Sequence, residues 1–154
     1  MATTLQPGDP APDFQLESDD GGTVSLESLK GKKVVLYFYP KDNTPGCTAQ
    51  ACEFRDQLNV FEENNAVILG VSRDSLASHS RFRQKFDLNF PLLTDPEAAV
   101  HRAYGAWGEK TMYGKTTEGV LRTTVIIDEE GRIVSQKQRV RAKGNAERTL
   151  GLMA

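Results

Sequence analysis

Cys47 and Cys52 are the only thiols in this 154-residue chain, and they stand five residues apart in Thr44-Pro45-Gly46-Cys47-Thr48-Ala49-Gln50-Ala51-Cys52. Cysteine reacts as its thiolate, which a helix N-terminus or a nearby cation favours. Thr44 reads as an N-cap and Pro45 as the first helical residue, the positions at which threonine and proline are preferred. Gly46 is then the second helical residue and Cys47 the third. Cys47 sits in the first turn, among N–H groups with no intrahelical partner and at the positive end of the helix dipole. The pattern predicts a reactive Cys47; the cap signals and the second cysteine both oppose an inert structural one.

The gap of five carries a second consequence. In an intact helix it is a rise of about 7.5 Å and a turn of about 140°, leaving the two Cα atoms about 8–9 Å apart and facing different ways. A disulfide needs Cα atoms within about 7 Å. Either these cysteines never bond, or part of the helix unwinds when they do, a local order–disorder step.

The elements that must position this segment are readable around it. Ala11 to Leu29 predicts a small N-terminal β-hairpin: Phe14 and Leu16 alternate with polar residues, Asp19-Asp20-Gly21-Gly22 is a turn signal, and Val24 and Leu26 alternate again. Val34 to Tyr39 is apolar on both faces, as a central strand should be. From Gly46 to about Asn64, Ala51, Phe54, Leu58 and Phe61 recur at helical steps. Ala66–Ser72 predicts a second buried strand. Ser75–Phe86 predicts a helix with Leu76, His79, Phe82 and Phe86 on one stripe. Pro91–Asp95 is a short strand. Glu97–Tyr104 is a short helix, with Asp95-Pro96 as its cap and first turn. Gly105 to Gly119 is glycine-rich and expected to be irregular. Thr123–Ile127 and Arg132–Gln136 form a hairpin, and Ala146–Met153 a closing helix. This order predicts an α/β fold, a mixed central sheet with helices on both faces, and a right-handed first βαβ unit.

Composition removes several function classes. A length of 154 residues suits one domain over residues 1–154. Apolar residues are 38% and charged residues 26%, ordinary for a globular chain, and the net charge of −2 gives no reason to expect nucleic acid as a partner. No window approaches the roughly 20 apolar residues that span a bilayer. Met1 to Pro7 shows no signal peptide. Two cysteines make no disulfide scaffold; in a cytosolic protein a nearby pair is more often catalytic or metal-binding.

The segment resembles a known family. Pro40-x-x-x-Thr44-x-x-Cys47 is similar to the active-site motif of the peroxiredoxins. Tyr37 to Asp56, with Cys52 five after Cys47, resembles the bacterioferritin-comigratory-protein, or peroxiredoxin Q, class. Ala11-Pro12-Asp13-Phe14, Trp107-Gly108-Glu109-Lys110, Met112-Tyr113-Gly114-Lys115 and Arg122-Thr123-Thr124 match too, so the likeness runs from about Pro7 to Leu152. The resemblance implies a thioredoxin-like fold and a cytoplasmic, monomeric thiol peroxidase acting on hydrogen peroxide and organic hydroperoxides, without metal, haem or nucleotide. It implies that Cys47 is the peroxidatic cysteine, and that Cys52 is the resolving cysteine, forming an intramolecular disulfide with Cys47 that a thioredoxin-like dithiol reduces. It places Arg122 against the peroxidatic sulfur and Pro40 as a shield of the site.

Other residues are weighed on their own chemistry. Thr44 can accept a backbone N–H as a cap and donate its hydroxyl proton to a peroxide oxygen. Gln50 and Arg55 share the helix with Cys47 and could support the site, but Gln50 is assigned no catalytic role. Trp107 is expected in the core. His79 and His101 are expected as packing or surface residues rather than ligands of a copper or zinc site built on the cysteines. A thiol–disulfide oxidoreductase is disfavoured because the chain has no Cys-x-x-Cys.

Overall fold

The computed structural model describes residues 4–153; residues 1–3, the start of the Met1–Pro7 segment in which no signal peptide is expected, and residue 154 lie outside the described residues. The chain opens with β1 (Gln15–Ser18) and β2 (Thr23–Ser25), followed by a single 3-10 turn at Glu27–Leu29. Next come β3 (Lys33–Phe38), α1 (Pro45–Glu63), β4 (Ala66–Ser72), α2 (Leu76–Phe86), β5 (Leu92–Thr94) and α3 (Ala99–Ala103). The second half holds β6 (Trp107–Met112), β7 (Lys115–Val120), β8 (Thr123–Ile127), β9 (Ile133–Lys137) and α4 (Asn145–Met153).

Seven strands form one mixed sheet in the order β2-β1-β5-β4-β3-β8-β9. β3, β4 and β5 run parallel, joined by the crossovers that carry α1 and α2, while β8 lies antiparallel against β3. The central strand β3 divides the core as its period of two requires. Val34, Leu36 and Phe38 join Leu69, Val71, Val125 and Tyr104 on one face, with Val100 and Ala103 of α3 packed there. Val35, Tyr37 and Tyr39 face the other way. There they meet Cys47, Ala51, Phe54 and Phe61 of α1, Phe82 of α2 and Ala146 of α4. Helices thus cover both faces, and the thiol of Cys47 is part of a packed apolar layer.

Two sequence expectations fail. Residues 105–119 are not irregular: β6 and β7 form a hairpin turned by Tyr113 and Gly114, both at positive φ (52° and 77°), as a type I′ turn requires. Among the described residues these strands pair only with each other, outside the main sheet. Most of β7 is exposed, so no apolar alternation marked it. The short helix also begins later than expected, at Ala99, because Ala98 takes a left-handed φ of 60°. Asp95 still caps it from a distance, its Oδ2 accepting the backbone N–H of His101 at 2.8 Å.

Candidate active site

Helix α1 starts as its local sequence dictates. Thr44 is the N-cap with extended φ and ψ, Pro45 is the first helical residue and Cys47 the third. Thr48 N donates to Thr44 O at 2.8 Å, closing the first turn. The Thr44 side chain departs from expectation: it makes no cap bond, and its hydroxyl instead donates to Lys41 O at 2.8 Å. A β-branched residue has few χ1 choices, and this one turns the hydroxyl back along the loop. Pro40 is half-buried and lies two residues past the end of β3.

Cys47 is 2% exposed. Its Sγ receives a hydrogen bond from Arg122 Nη2 at 3.4 Å. Arg122 lies just before β8, the neighbour of β3, so sheet pairing brings it to the mouth of the helix. The guanidinium lies close over Gly46: a Cβ there would stand 3.4 Å from the same Nη2, in contact with it. Arg122 Nη1 donates to Gln50 Oε1 at 2.5 Å, and Gln50 Nε2 donates to Asn145 Oδ1 at 2.8 Å. Gln50 is fully buried and belongs to the site through the arginine, a role that sequence reasoning withheld. Asn145 was missed entirely, since nothing local marks it. Arg55 does not join this group; it binds Asp56 and the carbonyl of Phe86.

Cys52 shares α1 but not these partners. It is half-buried, both cysteines are free, and the helix between them is continuous. Under α1 lies Tyr37, its ring stacked 4.7 Å from Phe54 and its hydroxyl buried without a hydrogen-bond partner. Burial, then the negative charges of Cys47 and Asp42, push this phenol well above its ordinary range. A Cβ at Gly70 would come within 3.0 Å of the Tyr37 ring and 2.9 Å of Leu92, so a larger residue there would force one of these side chains to shift.

The loop before α1 is held by Asp42. Its carboxylate accepts from Tyr39 Oη at 2.6 Å, Ser78 Oγ at 2.8 Å and His79 Nδ1 at 2.7 Å, while its N–H donates to Asp74 at 2.8 Å. His79 Nε2 faces the carbonyl of Leu93 at 2.9 Å. Both ring nitrogens therefore meet acceptors, so both carry hydrogen and His79 is an imidazolium. Burial acts against that charge, but the Asp42 hydrogen bond and charge, the Leu93 carbonyl and Asp74 together raise its pKa above the ordinary histidine value.

His101 is equally buried, donates from Nδ1 to Asp95 at 2.6 Å and has no partner at Nε2. The histidines are packing residues as expected, but neither is on the surface. Trp107 is not core: it is half-buried, with Arg73 and Arg102 over its ring at 5.1 and 5.0 Å and its Nε1 donating to Glu118. Two cations stacked on an indole offset the loss of a dry environment. Among the described residues no three of His, Cys, Asp and Glu form a group able to hold a metal, and no helix is long and apolar enough to cross a membrane.

Residues 7–136 match the model of the AhpC/TSA family. Peroxiredoxin Bcp of Bacillus subtilis is 46% identical over 147 residues, covering 96% of this chain and 94% of that one. A putative peroxiredoxin of Mycobacterium tuberculosis is 48% identical over 143 residues, 93% and 91% of the two chains. Among solved structures, the bacterioferritin comigratory protein of Xanthomonas campestris, a protein with alkyl peroxide reduction activity, superposes with a TM-score of 0.89. It is 37% identical, with 99% of this chain and 97% of that one covered.

Proposed function

The chain belongs to the AhpC/TSA family, as a thiol peroxidase of the Bcp or peroxiredoxin Q kind with a thioredoxin-like fold, and from that premise we propose how its residues divide the reaction. Cys47 is the nucleophile. Its thiolate attacks the terminal oxygen of a hydroperoxide; an S–O bond forms as the O–O bond breaks. The leaving oxygen takes a proton and departs as water or alcohol, and Cys47 becomes a sulfenic acid. The observation that carries this assignment is the Arg122–Cys47 hydrogen bond at the start of α1. A fixed guanidinium there stabilises both the thiolate and the charge moving onto the leaving oxygen. While the Thr44 hydroxyl donates to the Lys41 carbonyl it can still accept from the hydroperoxide O–H; to donate to the peroxide it must release that carbonyl. Pro40 shields the sulfur from bulk water.

Cys52 then attacks the Cys47 sulfur, an S–S bond forms and water leaves. Because the helix between them is continuous, α1 must open locally for this step. A thioredoxin-type dithiol returns both thiols by exchange, supplying the two electrons. We place the enzyme in the cytoplasm as a single-domain monomer; two free thiols suit a reducing compartment. The test is one experiment with two variants. Cys47→Ser abolishes peroxide consumption; Cys52→Ser retains one round of peroxide reduction and loses thioredoxin-driven turnover. Equal loss of the first oxidation in both variants overturns the division of roles.

A further inference from the structure

Arg122 can only donate hydrogen bonds. Its Nη1 meets Gln50, so Gln50 must turn its oxygen to the guanidinium and its NH2 away. That NH2 meets Asn145, the first residue of α4, which must therefore present its oxygen, Oδ1, at 2.8 Å. Thr124 Oγ1 donates to the same oxygen at 2.9 Å. One donor-only end thus dictates the direction of every bond from Cys47 to α4. Flipping either amide would set donor against donor in a buried place, where Gln50 is fully buried and Asn145 is 3% exposed. Among the described residues no carboxylate pairs with Arg122, whose side chain bonds only Gln50 and Cys47. Neutral amides hold the guanidinium in place and leave its charge to the sulfur.

We propose that Asn145 is a positioning residue for the peroxidatic cysteine, and that its Oδ1 tethers α4 to α1 so as to speed peroxide attack and slow the disulfide step that follows. The inference rests on the roles given above to Cys47 and Cys52. Gln50 lies between the two cysteines, inside the stretch of α1 that must open. Opening it breaks the Gln50–Asn145 bond and loosens the turn that carries Glu53, whose Oε1 accepts the N–H of Gly144 at 2.8 Å. The tether therefore has opposite effects on consecutive steps. While intact it aligns Arg122 with the sulfur; when released it lets Cys52 approach.

The test follows both steps in single turnover. The reduced protein is mixed with hydrogen peroxide and quenched at intervals, and sulfenic acid and disulfide are counted by mass spectrometry after dimedone trapping. Asn145→Ala forms sulfenic acid about tenfold more slowly, the value of one hydrogen bond to a charged network, and converts it to disulfide about threefold faster, as a less protected helix turn opens more often. Thr124→Val moves both rates in the same directions by less, and Thr124→Ser restores them; this pair decides the matter should Asn145→Ala fold poorly. A general loss of structure slows both steps together, and that result, or unchanged rates, overturns the tether. A failure of the underlying roles is distinguishable: it shows as peroxide consumption by Cys47→Ser, whatever Asn145 does.

Discussion

Cys47 and Cys52 are the same residue type on the same helix, yet their surroundings share almost nothing. Cys47 is 2% exposed and 3.4 Å from a guanidinium that is itself held by Gln50 and, through it, Asn145. The loop leading to it is clamped by Asp42 and a charged His79. Cys52 is half-buried and makes no side-chain hydrogen bond among the described residues, and the nearest cation on its helix, Arg55, is turned to Asp56 and Phe86. A helix end favours a thiolate only over its first turn, which separates the two by position. The larger difference is imported: the cation beside Cys47 comes from 75 residues along the chain. One thiol is organised for attack, and the other is left free to move to it.

The contrast is attacked most directly through the cation. Arg122→Met slows sulfenic acid formation about a hundredfold, the usual cost of removing one donor from a developing anion. Alkylation of Cys52 by iodoacetamide stays unchanged. A loss well below tenfold would mean that the helix end alone activates Cys47.

The clamp gives a smaller effect, read as stability. His79→Gln leaves the buried Asp42 carboxylate without its charged partner and costs about 3 kcal/mol. The pKa of His79 is raised in the folded protein, so its contribution is complete below the unfolded value of about 6.5. That contribution is lost as pH rises through the folded value. The gap in thermal midpoint between wild type and His79→Gln is therefore widest at acid pH and narrows on the alkaline side; a gap that widens with pH refutes the charged assignment. The smallest effect tests whether packing beneath α1 distinguishes the thiols. Tyr37→Phe removes an unpartnered buried hydroxyl, raises stability by about 1 kcal/mol and alters neither the oxidation of Cys47 nor the alkylation of Cys52. A change at one thiol alone would give Tyr37 a part in the contrast.

Much of this was legible in the sequence where short-range physics governs. The β3 run, apolar on both faces, announced a strand between two layers. The stripe of Ala51, Phe54, Leu58 and Phe61 announced α1. The hairpin of β6 and β7 was hidden because most of β7 is exposed and carries no alternating pattern. Trp107 was misread because size argued for the core, while Arg102, five residues before it, and Arg73, just past β4, stack over its ring. His79 fell on an apolar stripe, and no local pattern showed that Asp42, 37 residues earlier, would meet it there.

The sequence by itself determined that Cys47 stands in the first turn of a helix, because Thr44, Pro45 and Gly46 act through cap and φ preferences spanning only a few residues. It also determined that Cys52 lies out of bonding range while that helix persists, because a helical step of five has one geometry. Only the tertiary structure decided what surrounds the sulfur. Arg122, Gln50 and Asn145 meet because β8 pairs with β3 and α4 packs on α1. Those long-range contacts depend on the whole sheet forming; the family likeness placed Arg122 by the sulfur, but no local pattern encodes Gln50 and Asn145 as its support.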